Sequence, residues 1–251
     1  MTGLTGLEAG FVAGAGVLAG IANTIGGGGS LLSYPALLGA GLNPLAANVT
    51  NTVGLVPGLM SGSHGYRAEL VGQGRRIGRL LVPMAIGGLI GTVLLLRTSP
   101  GVFTRVVPWL IITGCIALLF QPLLARLVGE HAGERSVVFR GGLVLGGVYG
   151  AYFGAALGVM LLALLSLFIQ DTLQRLNAAK VVCTTTVNTI AAVGFAIFGP
   201  VHWLDALVLA AGTVVGGALG AMAGRRIPPA PLRYGVAAVG IALAVKLLVA
   251  P

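Results

Sequence analysis

The sequence predicts an all-α integral membrane protein of two inverted repeats, each a re-entrant broken-helix hairpin followed by three transmembrane helices. Three observations carry this expectation. The 251-residue chain is 56% hydrophobic and only 8% charged, with a mean hydropathy of +0.99, whereas soluble domains carry about 25% charged residues. Its apolar runs are long and lack strand-like alternation, which selects helices over a barrel. The order of apolar blocks also occurs twice.

The net charge of +9 comes from basic residues clustered in short loops. These read as topology signals in a lipid bilayer rather than a nucleic-acid surface, because no aromatic-rich basic patch offers base stacking. Cys115 and Cys183 lie in apolar segments without a partner at metal-ligand spacing, so both read as buried thiols. The N-terminus lacks a basic leader region and a cleavage site, so insertion is expected to rely on the first apolar segment.

That first block runs from Gly10 to about Ala40, too long for one span of about 20 residues. Four glycines, Gly26–Gly29, interrupt it within the stretch Asn23–Leu32. Glycine weakens a helix interior, so a break is expected there, with a new helix starting at Ser30, a good N-cap residue. The second arm, Ser30 to Ala40, covers about half a bilayer core. The block therefore reads as a hairpin with its break near the midplane, and Pro35 lies in the returning arm.

After a turn at Gly41–Pro44, a helix from Leu45 to about Ser61 carries Asn48, Asn51 and Thr52 on one face. The segment His64–Arg79 reads as a basic loop. Spans follow over Leu80–Leu96 and Val106–Leu124, then a polar linker over Arg126–Arg140. The pattern restarts with Gly141–Ile169, a second block too long for one span, closed by a break at Gln170–Asp171. Leu176–Phe198 carries Asn177, Lys180, Thr184 and Asn188. Val201–Ala223, the basic loop Arg225–Arg233 and a last span over Tyr234–Val249 complete the chain.

The halves correspond. A shift of 132 residues places Gly26 on Gly158, Asn48 on Lys180 and Thr52 on Thr184. The expected division is residues 1–130 for the first repeat and 131–251 for the second, within one membrane domain. If each long block is a hairpin that does not cross, each repeat has three crossings and the repeats are inverted. Twelve of the 15 basic residues then face the cytoplasm, leaving Arg97, Arg105 and Lys246 outside. The alternative of four crossings per repeat puts the two basic loops on opposite sides, which the positive-inside rule disfavours.

The segment GIANTIGGGGSLLSYPALLGAGLNPLAANVTNTVGLVPG, Gly20–Gly58, resembles the first-repeat motif of the TauE/SafE sulfite exporter family. LNAAKVVCTTTVNTIAAVGFAIFG, Leu176–Gly199, followed by His202–Trp203, resembles its second repeat, with the glycine run reduced to Gly154 and Gly158. The resemblance implies a multi-pass inner-membrane permease, an exporter of small sulfur-containing anions such as sulfite or organosulfonates.

An anion within hydrocarbon needs hydrogen-bond donors and positive charge. The half-helix N-terminus at Gly27, Gly28, Gly29 and Ser30 offers free N–H groups and a positive dipole end; close helix packing is the alternative use of such glycines. Asn48, Asn51 and Thr52 offer amides and a hydroxyl, or else bonds between helices. Lys180, with Asn177, Thr184 and Asn188 along its face, offers a cation that pairs with substrate or snorkels to headgroups. Tyr149 and Tyr152 either line the second hairpin or pack, with packing the preferred reading.

Glu8, Glu69, Glu130, Glu134, Asp171 and Asp205, and the three histidines, fall in loops or near span ends, so no intramembrane proton relay is expected. Catalytic residues, metal ligands and cofactors are not expected, and an intramembrane enzyme would need a base beside Cys183. A transporter working by alternating access is the leading expectation. Channel-like or uniport movement of another small anion stays open, as does a homodimer.

Overall fold

The computed structural model describes residues 5–126, 136–224 and 230–249. The boundary expected between the repeats, near residue 130, lies outside them. So do Glu130, His131, Glu134 and the arginines at 135, 225 and 226. Among the described residues the chain is all helix: α1 (Gly6–Ile25), α2 (Ser30–Gly39), α3 (Pro44–Gly65), α4 (Arg67–Leu70), α5 (Gly74–Arg97), α6 (Pro100–Arg126), α7 (Val137–Tyr152), α8 (Leu157–Phe168), α9 (Leu173–Phe198), α10 (Trp203–Ala223) and α11 (Ala230–Val249). Five of them, α1, α5, α6, α9 and α10, are long and apolar enough to cross a membrane.

The molecule is inside-out relative to a soluble protein. On α5, Val82, Ile86, Leu89, Ile90 and Val93 are exposed, while Met84, Gly87, Gly88 and Thr92 face inward. An apolar exterior of this extent is the signature of a lipid-facing surface. Asn48, Asn51, Lys180 and Thr213 are buried instead.

Helix α1 lies along α10, and α7 lies along α5. Glycines set how close they come. A Cβ on Gly20 would sit 2.6 Å from the Thr213 carbonyl, and one on Gly147 would sit 2.6 Å from that of Met84. Such contacts let backbones approach where lipid supplies no hydrophobic drive between helices. Further pairings run alike: α3 packs on α10 and α9 on α5, α2 meets α11 and α8 meets α6, while α3 meets α9 and α6 meets α11. Helices α3 and α9 run antiparallel, since His202, just past α9, donates its N–H to Thr50 Oγ1 while Ser63 Oγ bonds Thr185 Oγ1. These two contacts are about 20 Å apart by helical rise along α3.

Both long blocks are broken, but the arms are unequal. Thr5 and Glu8 form a capping box, so α1 begins before the apolar block and reaches 20 residues, about 30 Å. Its break therefore lies toward the far end of α1 rather than halfway: the Thr24 carbonyl accepts from the Tyr66 hydroxyl at the close of α3. The second break is at Phe153–Ala156, between α7 and α8, and Gly158 is already the second residue of α8.

The stretch expected to be one basic loop is mostly helical, because α3 runs to Gly65 and α5 starts at Gly74. It is tied to the α8–α9 turn. Arg76 pairs with Asp171, Arg175 Nε reaches Asp171 Oδ1 at 3.0 Å, and Gln73 Nε2 donates to the Arg175 carbonyl at 3.2 Å.

Candidate functional site

The first break is a local consequence of Gly27 and Gly28, whose φ angles of +93° and +89° are open to glycine at no steric cost. The chain turns off α1 there, and the last-turn carbonyls of Asn23 and Thr24 lose their helical donors. Side chains from α9 replace them. Lys180 Nζ donates to the Asn23 carbonyl at 3.0 Å and Asn177 Nδ2 to that of Thr24 at 3.1 Å.

Helix α2 starts inside the protein. The Gly29 N–H is taken by Asn23 Oδ1 at 2.8 Å. Among the described residues, the N–H groups of Gly28 and Ser30 have no hydrogen-bond partner, and both residues are buried. Around Gly28 stand Val236 of α11 and Leu118 of α6, which close the space with apolar side chains. One turn into α2, Ser33 Oγ donates to Asn51 Oδ1 at 2.5 Å.

The second break meets the first. A Cβ on Gly27 would lie 2.6 Å from the Val159 nitrogen and 2.8 Å from Gly158 Cα, and one on Gly158 would lie 3.4 Å from Lys180 Cδ. Backbone thus touches backbone between the hairpins, and the Lys180 stem runs beside the junction. Here Gly154 takes φ +73° and Ala156 φ +60°. Tyr149 Oη donates to the Ala155 carbonyl at 2.6 Å, fastening the turn. The α7 end is capped from α3, because Asn48 Nδ2 donates to the Tyr152 carbonyl at 3.0 Å.

The sequence-derived residues therefore divide. Gly27, Gly28, Gly29, Ser30 and Lys180 converge on the first break, with Asn51 attached through Ser33. Asn48 serves the second break. Thr52 bonds its own helix, at the Asn48 carbonyl, and Asn188 bonds the Thr184 carbonyl. Two acceptors in this group, Asn48 Oδ1 and Thr184 Oγ1, are buried without a partner. Lys180 neither snorkels nor reaches the surface; it is 0% exposed.

Two participants are not among the site residues expected from the sequence, Asn23 and Ser33. Asn23 opens the glycine motif, which is its available signal, and Ser33 carries none; Tyr149, expected to line the second hairpin or pack, bonds that hairpin's turn. Among the described residues, the histidine nearest to Cys183 in sequence, His202, stands just past the far end of α9, 3.9 Å from Asp205. Asp205 lies in the first turn of α10 and is buried. Among the described residues no cluster of three or more His, Cys, Asp or Glu could hold a metal.

The apolar exterior, the broken hairpins and the buried amide and lysine network define a polytopic helical membrane protein with a polar interior. The family model for the sulfite exporter TauE/SafE matches residues 12–247. The chain belongs to the TauE/SafE sulfite exporter family, a family of membrane transporters. It is 30% identical over 210 residues to a "Probable membrane transporter protein" of Haemophilus influenzae, covering 82% of this chain and 81% of that one. It is 29% identical over 212 residues to the "Probable membrane transporter protein YfcA" of Escherichia coli K12, covering 81% and 76%. It is 28% identical over 246 residues to the "Probable membrane transporter protein ORF9" of a Sinorhizobium species, covering 93% and 90%. No solved structure matches the chain.

Proposed function

We propose that this protein is a secondary transporter that exports small sulfur-containing anions, such as sulfite or organosulfonates, across the cell (inner) membrane. The observation that carries the reading is the start of α2: two buried N–H groups, of Gly28 and Ser30, without a partner among the described residues. An oxyanion supplies the acceptors those donors lack, and the positive end of the half-helix favours its charge. Gly27 and Gly29 keep the backbone close, and Lys180 adds a cation beside the junction. Asn51 orients the first turn of α2 through Ser33, while Asn48, Thr52, Thr184 and Asn188 line the polar faces along which an anion would leave.

The mechanism we assign is alternating access by two inverted repeats. The exchange of helix pairings and the antiparallel α3–α9 contact support it. Asn48, Asn51 and Lys180 are at most 1% exposed, which fits a closed state better than an open channel. The moving bodies would each mix helices from both repeats, since α1 is packed on α10 and α7 on α5.

Counterflow of labelled sulfite into proteoliposomes tests the reading. Saturable uptake, competed by organosulfonates and reduced in Lys180→Met, is the expected result. Absence of saturable flux for sulfite, sulfate, thiosulfate and sulfoacetate would overturn it.

A further inference from the structure

A second feature lies away from the helix breaks. Helices α5 and α7 run parallel, and near their first turns they leave a groove of about 360 Å³ open to the exterior. That volume is within the range of about 300–1,000 Å³ typical of ligand sites. Its floor is apolar, made by Leu80, Pro83, Phe139 and Leu143, of which Leu80, Phe139 and Leu143 are buried. Its mouth holds two arginines, Arg79 and Arg140. Both are exposed, and among the described residues neither has a hydrogen-bond or ion-pair partner.

The sequence explains the arrangement. Arg79 is the sixth residue of α5 and Arg140 the fourth of α7, so both emerge within about two turns of the same end of a parallel pair. Pro83 has no N–H to give the Arg79 carbonyl one turn back, which weakens the ladder at the groove's wall. Beyond the arginines the lipid-facing side chains turn apolar at once, with Val82 62% and Ile86 48% exposed. Two fixed positive charges above an apolar trough, at the boundary between charged and greasy surface, match one kind of molecule in a membrane. That molecule has a negative head and a hydrocarbon tail.

We propose that this groove binds one anionic phospholipid, its phosphate between Arg79 and Arg140 and an acyl chain over Pro83 and Leu143. Basic pockets between transmembrane helices on the cytoplasmic side recognise lipid headgroups in this way. The positive-inside distribution puts both arginines on that side. The site is independent of the substrate pathway.

Native mass spectrometry of the purified full chain, titrated with phosphatidylglycerol or phosphatidylcholine, tests the proposal. The wild type is expected to retain one phosphatidylglycerol in preference to phosphatidylcholine. Arg79→Gln with Arg140→Gln should weaken that retention about 30-fold, while Arg97→Gln with Arg105→Gln, which removes two charges elsewhere, should not. Ile86→Trp should displace the lipid by filling the groove while keeping both arginines. Equal retention of the two lipids, equal loss in both arginine pairs, or unchanged binding in Ile86→Trp would overturn the proposal. So would competition by soluble glycerol phosphate at matched concentration, which would make the site one for free anions.

Discussion

Lys180 Nζ donates to the Asn23 carbonyl across 3.0 Å, so a lysine from the second half of the chain closes the end of the first helix. Asn48, the residue that aligns with Lys180 in the first half, donates to Tyr152 at the end of α7 over the same distance. Each hairpin is therefore held by a side chain from the other half of the chain. Replacing Lys180 with Met leaves the Asn23 carbonyl buried without this donor. A buried carbonyl left without its donor costs about 1–3 kcal/mol, so the sulfite flux proposed above should fall about 10- to 100-fold in proteoliposomes. Full activity in Lys180→Met would show that the bond has no part in transport.

Gly27→Ala combines a positive φ with a Cβ 2.6 Å from the Val159 nitrogen, at a place where both neighbours are backbone. The expected cost is about 2–4 kcal/mol, read as a lowered unfolding temperature in detergent. Gly26→Ala is the contrast: nothing lies within 4 Å of its added carbon, and its φ is −122°. That variant should stay within about 0.5 kcal/mol of the parent. Equal effects would mean that the hairpins do not touch at Gly27.

How much of this is legible in the sequence varies along the chain. The break at Gly26–Gly29 can be read there because four consecutive glycines leave an apolar helix little means of continuing. The start of α1 cannot, because Thr5 and Glu8 build its cap outside the apolar block. For the second break the repeat offers only its glycines, and the shift puts Gly158 opposite Gly26. In the structure Gly158 belongs to α8, and the turn uses Gly154 with Ala156, an alanine in a conformation that side chains seldom adopt. The polar face of α9 is legible from its spacing, but the destination of Lys180 is not. A periodic pattern gives the direction a side chain takes from its own helix, and the helix end it meets depends on the packing of α9 against α1.

Ser33 and Asn51 join α2 to α3 through a buried bond. A double-mutant cycle with Ser33→Ala and Asn51→Ala should give a coupling of about 0.5–1.5 kcal/mol in thermal unfolding. A coupling near zero would show that the two side chains act independently.

Asp171 sets a pH dependence. Partial burial raises its pKa, but hydrogen bonds from Arg76, the Thr172 N–H and Arg175 outweigh that and hold it below the ordinary carboxylate value. A depressed folded-state pKa stabilises above the unfolded pKa, and the contribution fades as pH falls through the folded value. Asp171→Asn should therefore lose on the order of 2 kcal/mol at neutral pH, with the gap to the parent closing below about pH 4. A gap that does not depend on pH would contradict the ion-pair account.

Orientation can be read with an impermeant thiol reagent in intact cells, since both native cysteines are buried. Ser99→Cys, in the α5–α6 connection, should label from outside. Val71→Cys, before α5, should label only after permeabilisation. The reverse pattern would invert the assignment of cytoplasmic loops.

The packing of α1 on α10 and of α7 on α5 bears on how the molecule is made. The amino-terminal hairpin emerges long before the helix it must embrace has been synthesised, so its glycine-lined flank waits in lipid until the last third of the chain arrives. Two polypeptides cut at the central linker should accordingly be lost to proteolysis when produced singly and recovered as a stable pair when produced together.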